Sequence, residues 1–162
     1  MTMERIHRLC RHPLWRESIQ SIEELERERI FCRHGTAHCL DVARLAWIEN
    51  LERGLGLEKE RIYAAALLHD IGRGLQLLEG VPHHQASARL AEGILADCGF
   101  SPAETAEITA AILGHRTPAT AERQDLAGVL YRADKASRCC LFCGARAECH
   151  WSEERKNLTL KG

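Results

Sequence analysis

The sequence predicts an all-α fold, a compact bundle of about six helices, and three observations carry that expectation. Apolar residues recur at spacings of three and four along most of the chain. Strand signals are nearly absent, with no run of β-branched residues and no Asn-Gly hairpin turn. All four prolines stand near the start of a periodic segment or just past an end, where a helix tolerates them.

The first helix is expected over roughly Pro13 to Ile30, with Trp15, Ile19, Ile22 and Leu25 on one side. The second covers about Thr36 to Leu55 and is stopped by Gly54 and Gly56; the third runs from Glu58 to Ile71, where Gly72 and Gly74 break it. A fourth starts at Pro82 and reaches Cys98, ahead of Gly99. The fifth has the clearest start: Ser101 as cap, Pro102 at the first helical position and Glu104 completing a capping box. It ends near Gly114, and a sixth helix spans about Gln124 to Ser137. Residues 1–138 thus read as one helical domain that includes an N-terminal helix, and residues 139–162 as a Cys-rich tail packed on it.

Bulk properties narrow the function. With 45% hydrophobic, 28% charged and only 5% aromatic residues, the core must be built from Leu, Ile, Val and Ala. A net charge of −1 provides no field to hold a long nucleic acid, so a small anionic substrate needs a local metal or local cations. The N-terminal residues lack the apolar core of a signal peptide, and the longest apolar run, Ile62 to Leu68, is too short to cross a bilayer. A cytoplasmic location without membrane contact is the expectation, with the eight cysteines as reduced thiols.

Histidines and aspartates fall on the helical stripes. His38 shares one with Val42 and Leu45, and His69 follows Ile62, Ala65 and Ala66. His84 precedes Ala88, Ala91 and Leu95; His115 closes Ile108, Ala111 and Ile112; Asp134 continues Leu126 and Leu130. Five helices therefore each direct one imidazole or carboxylate inward, and Asp70 adjoins His69. One buried histidine alone is ordinarily satisfied by a backbone carbonyl. Five polar groups on apolar faces, one an aspartate, instead call for a cation, and this donor set suits iron, manganese or zinc. His34, one turn before His38, could substitute as a ligand but reads rather as a surface group or a support for the ligands, and His83, about 100° from His84, as exposed.

These residues carry a resemblance. His38 in H-C-L-D-V-A, His69 and Asp70 in L-L-H-D-I-G, and Asp134 in A-D-K resemble the HD superfamily of metal-dependent phosphohydrolases. His84 in H-Q-A-S-A and His115 in I-L-G-H-R-T extend the likeness to members with two additional histidines, in particular the small bacterial di-iron proteins that cleave diadenosine tetraphosphate. The match runs from about Cys32 to Ser137. It implies an HD-domain bundle in which His38, His69, Asp70 and Asp134 hold a first metal and His84 and His115 a second, bridged by Asp70. It further implies attack by a metal-bridging hydroxide on a phosphoester or phosphoanhydride bond. Arg73, Arg116 and Lys135 are the phosphate contacts it points to, with Asp70, Arg73 and Lys135 as catalytic residues. The substrate expected is a small phosphorylated molecule such as a nucleotide, and the oligomeric state, a homodimer included, stays open. A di-iron oxygenase of the same fold and a non-catalytic sensory module are the alternatives.

Cys140, Cys143 and Cys149 read C-x2-C-x5-C, a spacing that suits structural zinc or an iron–sulfur cluster. Cys139, His150, Cys32 and Cys10 are candidates for a fourth ligand, and simple packing by reduced thiols is the alternative.

Overall fold

A computed structural model describes residues 2–162. Among them are eight α-helices and no strand: α1 (Glu4–Arg11), α2 (Pro13–Leu25), α3 (Thr36–Glu52), α4 (Lys59–Leu68), α5 (Arg73–Glu79), α6 (His83–Asp97), α7 (Pro102–Gly114) and α8 (Leu126–Ala136). Two short 3-10 segments, Pro118–Glu122 and Cys140–Phe142, complete the regular structure.

The organising element is α4. Ile62 and the whole run Ala64–Leu68 are buried, so the second half of this helix is apolar all round, as a helix must be where neighbours cover every side. It packs against α1, α3, α6, α7 and α8. Leu67 and Leu68 are fully buried, each contributing about 1.5–3 kcal/mol relative to exposure. The Trp15 indole nitrogen on α2 donates to the Leu67 carbonyl oxygen at 2.8 Å, tying the N-terminal layer to this axis. Helix α4 ends in a turn that carries His69 and Asp70, both buried, so the centre of the core delivers the two residues of the central motif.

The expected helix starts hold in their caps. Ser101 accepts from the Glu104 amide at 3.2 Å and Glu104 accepts from the Ser101 amide at 2.8 Å, closing the capping box of α7. Asp125 caps α8 by accepting from the Gly128 amide.

Three differences from expectation have local causes. Helix α2 stops at Leu25, which is 43% exposed, while Glu26 beyond it is 3% exposed. His34 explains this inversion: its amide and ring both bond the Glu26 carboxylate, the ring at 2.8 Å. A separate helix α1 precedes α2, held by only two buried residues, Ile6 and Leu9, on an otherwise charged surface. Helix α5 forms across Gly74 because that glycine is a packing residue: a Cβ there would meet Ser21 Oγ of α2 at 3.2 Å.

Candidate metal centre

Five elements converge at the end of α4. His38 comes from the first turn of α3, His69 and Asp70 from the turn after α4, His83 from the start of α6, His115 from the end of α7 and Asp134 from α8. Their ligand atoms form two groups, His38–His69–Asp70–Asp134 and Asp70–His83–His115, each with all its atoms within 4.8 Å of one another.

In the first group, His38 Nε2 lies 3.2 Å from His69 Nε2, 3.3 Å from Asp70 Oδ2 and 3.2 Å from Asp134 Oδ1. His69 Nε2 is 3.2 Å from the same Asp70 Oδ2. In the second, His83 Nε2 and His115 Nε2 are 3.2 Å apart and face Asp70 Oδ1 at 3.3 and 3.6 Å. Asp70 therefore gives one oxygen to each group. Asp134 is divided differently, its Oδ2 held by Lys135 Nζ at 2.8 Å while Oδ1 faces the imidazoles.

Each imidazole is fixed from behind. His69 Nδ1 donates to the Ala66 carbonyl at 2.6 Å and His115 Nδ1 to the Ile112 carbonyl at 2.5 Å. His83 Nδ1 donates to Gln76 Oε1 at 2.6 Å, and His38 Nδ1 meets Ser137 Oγ at 3.3 Å. A carbonyl oxygen can only accept, so Nδ1 of His69, His83 and His115 carries a proton and each ring turns Nε2 inward, a metal ligand once any second proton has left. Lone pairs and carboxylate oxygens at 3.2–3.6 Å repel unless a cation lies among them. The donor set thus fits divalent metal at both groups.

The electrostatics agree. Burial pushes the His69 imidazole down, but the Asp70 and Asp134 carboxylates outweigh it and hold it at about 10, so positive charge is favoured there. Asp70 and Asp134 resist the upward push of burial and stay well below the usual carboxylate range because imidazoles surround them. His83 is lowered to about 3, chiefly by burial.

The sequence expectation is corrected at one position. His83, expected to be exposed, is buried and faces Asp70, whereas His84 lies outside both groups, half-buried, with its ring edge-on to that of His83 at 5.9 Å. The inward stripe of α6 is His83, Ser87, Ala91 and Ile94. Ser87 looks solvent-facing in sequence, yet its buried hydroxyl accepts from the Gly72 amide at 2.9 Å. A stripe drawn through the apolar Ala88 instead is turned by one residue. Small residues at 87 and 91 with Ile94 were the signal for the correct phase.

Asp70, His83, His115 and Asp134 line a cavity of about 590 Å³. Arg73, Arg116 and Lys135, the expected phosphate contacts, all line it. Arg73 Nε is buried without a partner, an orphaned donor beside Asp70. Lys135 is partly engaged, bonding Asp134 and the His115 carbonyl. Sequence reasoning missed Arg29, Arg138, Arg146, Arg155 and Lys156 on the same wall, together with Phe31 and Trp151. None belongs to a periodic stripe; the tail folding back over the bundle brings most of them there. Arg138 donates to the Arg33 carbonyl at 2.7 Å, and Asn157 bonds the carbonyls of Lys135 and Arg138. Cys140, Cys143 and Cys149 reach the outer part of this cavity.

Comparison with known proteins accords with this site. The HD domain family profile matches residues 35–139. An uncharacterized protein of Clostridium beijerinckii is 42% identical over 138 residues, covering 85% of this chain and 86% of its own. The crystal structure of a predicted HD superfamily hydrolase from an uncultured Thermotogales bacterium superposes with a TM-score of 0.65 at 27% identity. That match covers 90% of this chain and 78% of the other. Among the described residues no helix is long and apolar enough to cross a membrane.

Proposed function

The chain belongs to the HD domain family, and from that membership we propose a metal-dependent phosphohydrolase that cleaves a phosphoester or phosphoanhydride bond of a nucleotide or other small phosphorylated substrate. The observation that carries the reading is one juxtaposition: two ligand groups sharing Asp70, which lines a cavity walled by cations. Eight Arg and Lys side chains line that cavity against three Asp, so it selects a polyanion although the whole chain is nearly neutral.

His38, His69, Asp70 and Asp134 would hold one ion, and Asp70, His83 and His115 a second. Iron or manganese suits this histidine-carboxylate set, and zinc is compatible with it. When bound, such ions supply Lewis-acid polarisation of phosphoryl oxygens and activation of water. The chain's own residues do the rest. Arg73, with its free Nε donor, and the exposed Arg116 hold phosphate oxygens in this cavity. Lys135 orients Asp134 through Oδ2 and keeps donor capacity for the substrate. Phe31 and Trp151 also line the cavity, with Arg29 over the Phe31 ring and Arg155 over the Trp151 ring, and aromatic groups there suit a nucleobase better than a bare phosphate.

A screen of mononucleotides, dinucleotide polyphosphates and simple phosphate esters with iron, manganese, cobalt or zinc tests the proposal. Turnover that disappears on chelation and returns with metal is expected. No turnover of any of these with any of the four metals would overturn it in favour of a sensory role.

A further inference from the structure

The tail presents a structural problem of its own. Residues 139–162 contain no regular element beyond the 3-10 turn Cys140–Phe142, and only Cys140 and Ala145 among them are buried. A segment of that length without helices and with almost no core is uncommon in a folded domain unless something other than apolar burial ties it down.

What the tail does possess is thiols. Cys140 and Cys143 flank a tight turn in which the Cys143 amide bonds the Cys140 carbonyl at 3.2 Å. Further turns from Cys143 to Arg146 and from Arg146 to Cys149 bring the third thiol around. Across from them stands Cys32, in the segment between α2 and α3, its carbonyl accepting from Arg29 Nε at 2.8 Å. Burial raises the Cys32 thiol above its ordinary value, Arg138 pulls it back down, and Cys140, Cys143 and Cys149 push it up again. All four line the same cavity, and none is paired in a disulfide. The other candidates for a fourth ligand fit less well: Cys139 and His150 are exposed, and Cys10 packs on the core with α1.

We infer that Cys32, Cys140, Cys143 and Cys149 form a four-thiolate site for an iron–sulfur cluster, which fastens the tail to the α2–α3 segment beside the His/Asp cage. The spacing speaks against a single ion and leaves room for a cluster. Zinc–sulfur bonds of about 2.3 Å in a tetrahedron would bring the sulfurs to about 3.8 Å from one another. Among the described residues, however, only the two His/Asp groups bring three or more ligand atoms within 4.8 Å. A polynuclear cluster holds its thiolates farther apart than one ion does. The site uses no ligand of the cage, so it stands or falls separately from the phosphohydrolase reading.

The test is acid-labile sulfide per chain in protein purified without oxygen, because iron alone could also occupy the cage. Labile sulfide with visible charge-transfer absorption is expected in the wild type and in Asp70→Asn. Both signals should be lost in Cys32→Ser as completely as in Cys143→Ser or Cys149→Ser, and kept in Cys139→Ser. Alkylation of the wild type, read by mass spectrometry, needs no variant to fold: Cys139 should label at once, and the four thiols only after the cluster is removed. Wild type that lacks labile sulfide, or that holds zinc at these thiols, overturns the inference. So does labelling of Cys32 as fast as Cys139 while the three tail thiols stay protected.

Discussion

The Nε2 atoms of His83 and His115 lie 3.2 Å apart, delivered by the start of α6 and the end of α7, and both face a single oxygen of Asp70. Two imidazole nitrogens and a carboxylate at that separation call for a positive charge among them, a metal ion or a proton. The first prediction follows from the helical phase that puts His83, and not His84, in this position. His83→Ala should reduce metal toward one ion per chain and remove most turnover, because the second clamp on the phosphoryl group is lost. His84→Ala should keep both within about twofold, as expected for a group outside the ligand set. Elemental analysis and initial rates on the two variants check this, and the reverse pattern would restore His84 as ligand.

Gly72 fixes how closely α6 approaches the floor of the site. A Cβ there would lie 2.5 Å from the Ser87 nitrogen and 2.6 Å from the His83 carbonyl oxygen, both backbone atoms that cannot swing aside. Gly72→Ala should push α6 outward, destabilising the fold by about 1–3 kcal/mol. Affinity at the second site should fall by about 10–100-fold while the first site keeps its ion. A metal titration in which both sites weaken equally, or neither does, would contradict the packing argument.

The stability of the metal-free protein should peak near the ordinary histidine value of 6.5. His69, raised to about 10 against the effect of burial by its carboxylates, contributes stability fully present below 6.5 and lost as pH rises toward 10. His83, lowered to about 3 chiefly by burial, contributes stability present above 6.5 and lost as pH falls toward 3. Asp70 and Asp134, both lowered, add to the acid arm below the ordinary carboxylate value of 3.8. Thermal melts in chelator across this range should trace a maximum, and a flat alkaline arm would remove the role assigned to His69.

Metal uptake should release protons. At about pH 8 His69 still carries the extra proton that its neighbours stabilise, and a metal must displace it. Calorimetry in buffers of differing ionisation heat should show about one proton released per first-site ion. Uptake without proton release would mean that the free cage is not held by a proton on His69.

Much of this was legible in the sequence, and the parts that were not share a cause. The long helices, the capping box at Ser101 and the inward placement of His38, His69, Asp70, His115 and Asp134 follow from periodicity, because apolar burial sets the phase of each helix. The phase of α6 was misjudged because Ser87 is polar yet buried, bonding the Gly72 amide. Helix α5 was hidden because Gly74 reads as a breaker, though it serves close packing against Ser21. Glu26 and Leu25 exchange their expected places because the Glu26 partner, His34, lies beyond the helix. That Cys32 and the tail thiols line one cavity depends on how residues 139–162 fold back, and no periodicity encodes that return.

Asp70 tests the central claim most directly, since each of its oxygens serves one ligand group. Wild type loaded without oxygen with iron or manganese should hold two cage ions per chain, counted apart from any iron accompanied by labile sulfide. Asp70→Asn, with an unchanged helical circular dichroism spectrum, should hold close to none and lose more than about a hundredfold in phosphate release, beyond the usual effect of losing a supporting residue. If folded Asp70→Asn keeps both ions, or the wild type never takes more than one, the shared-carboxylate centre is contradicted.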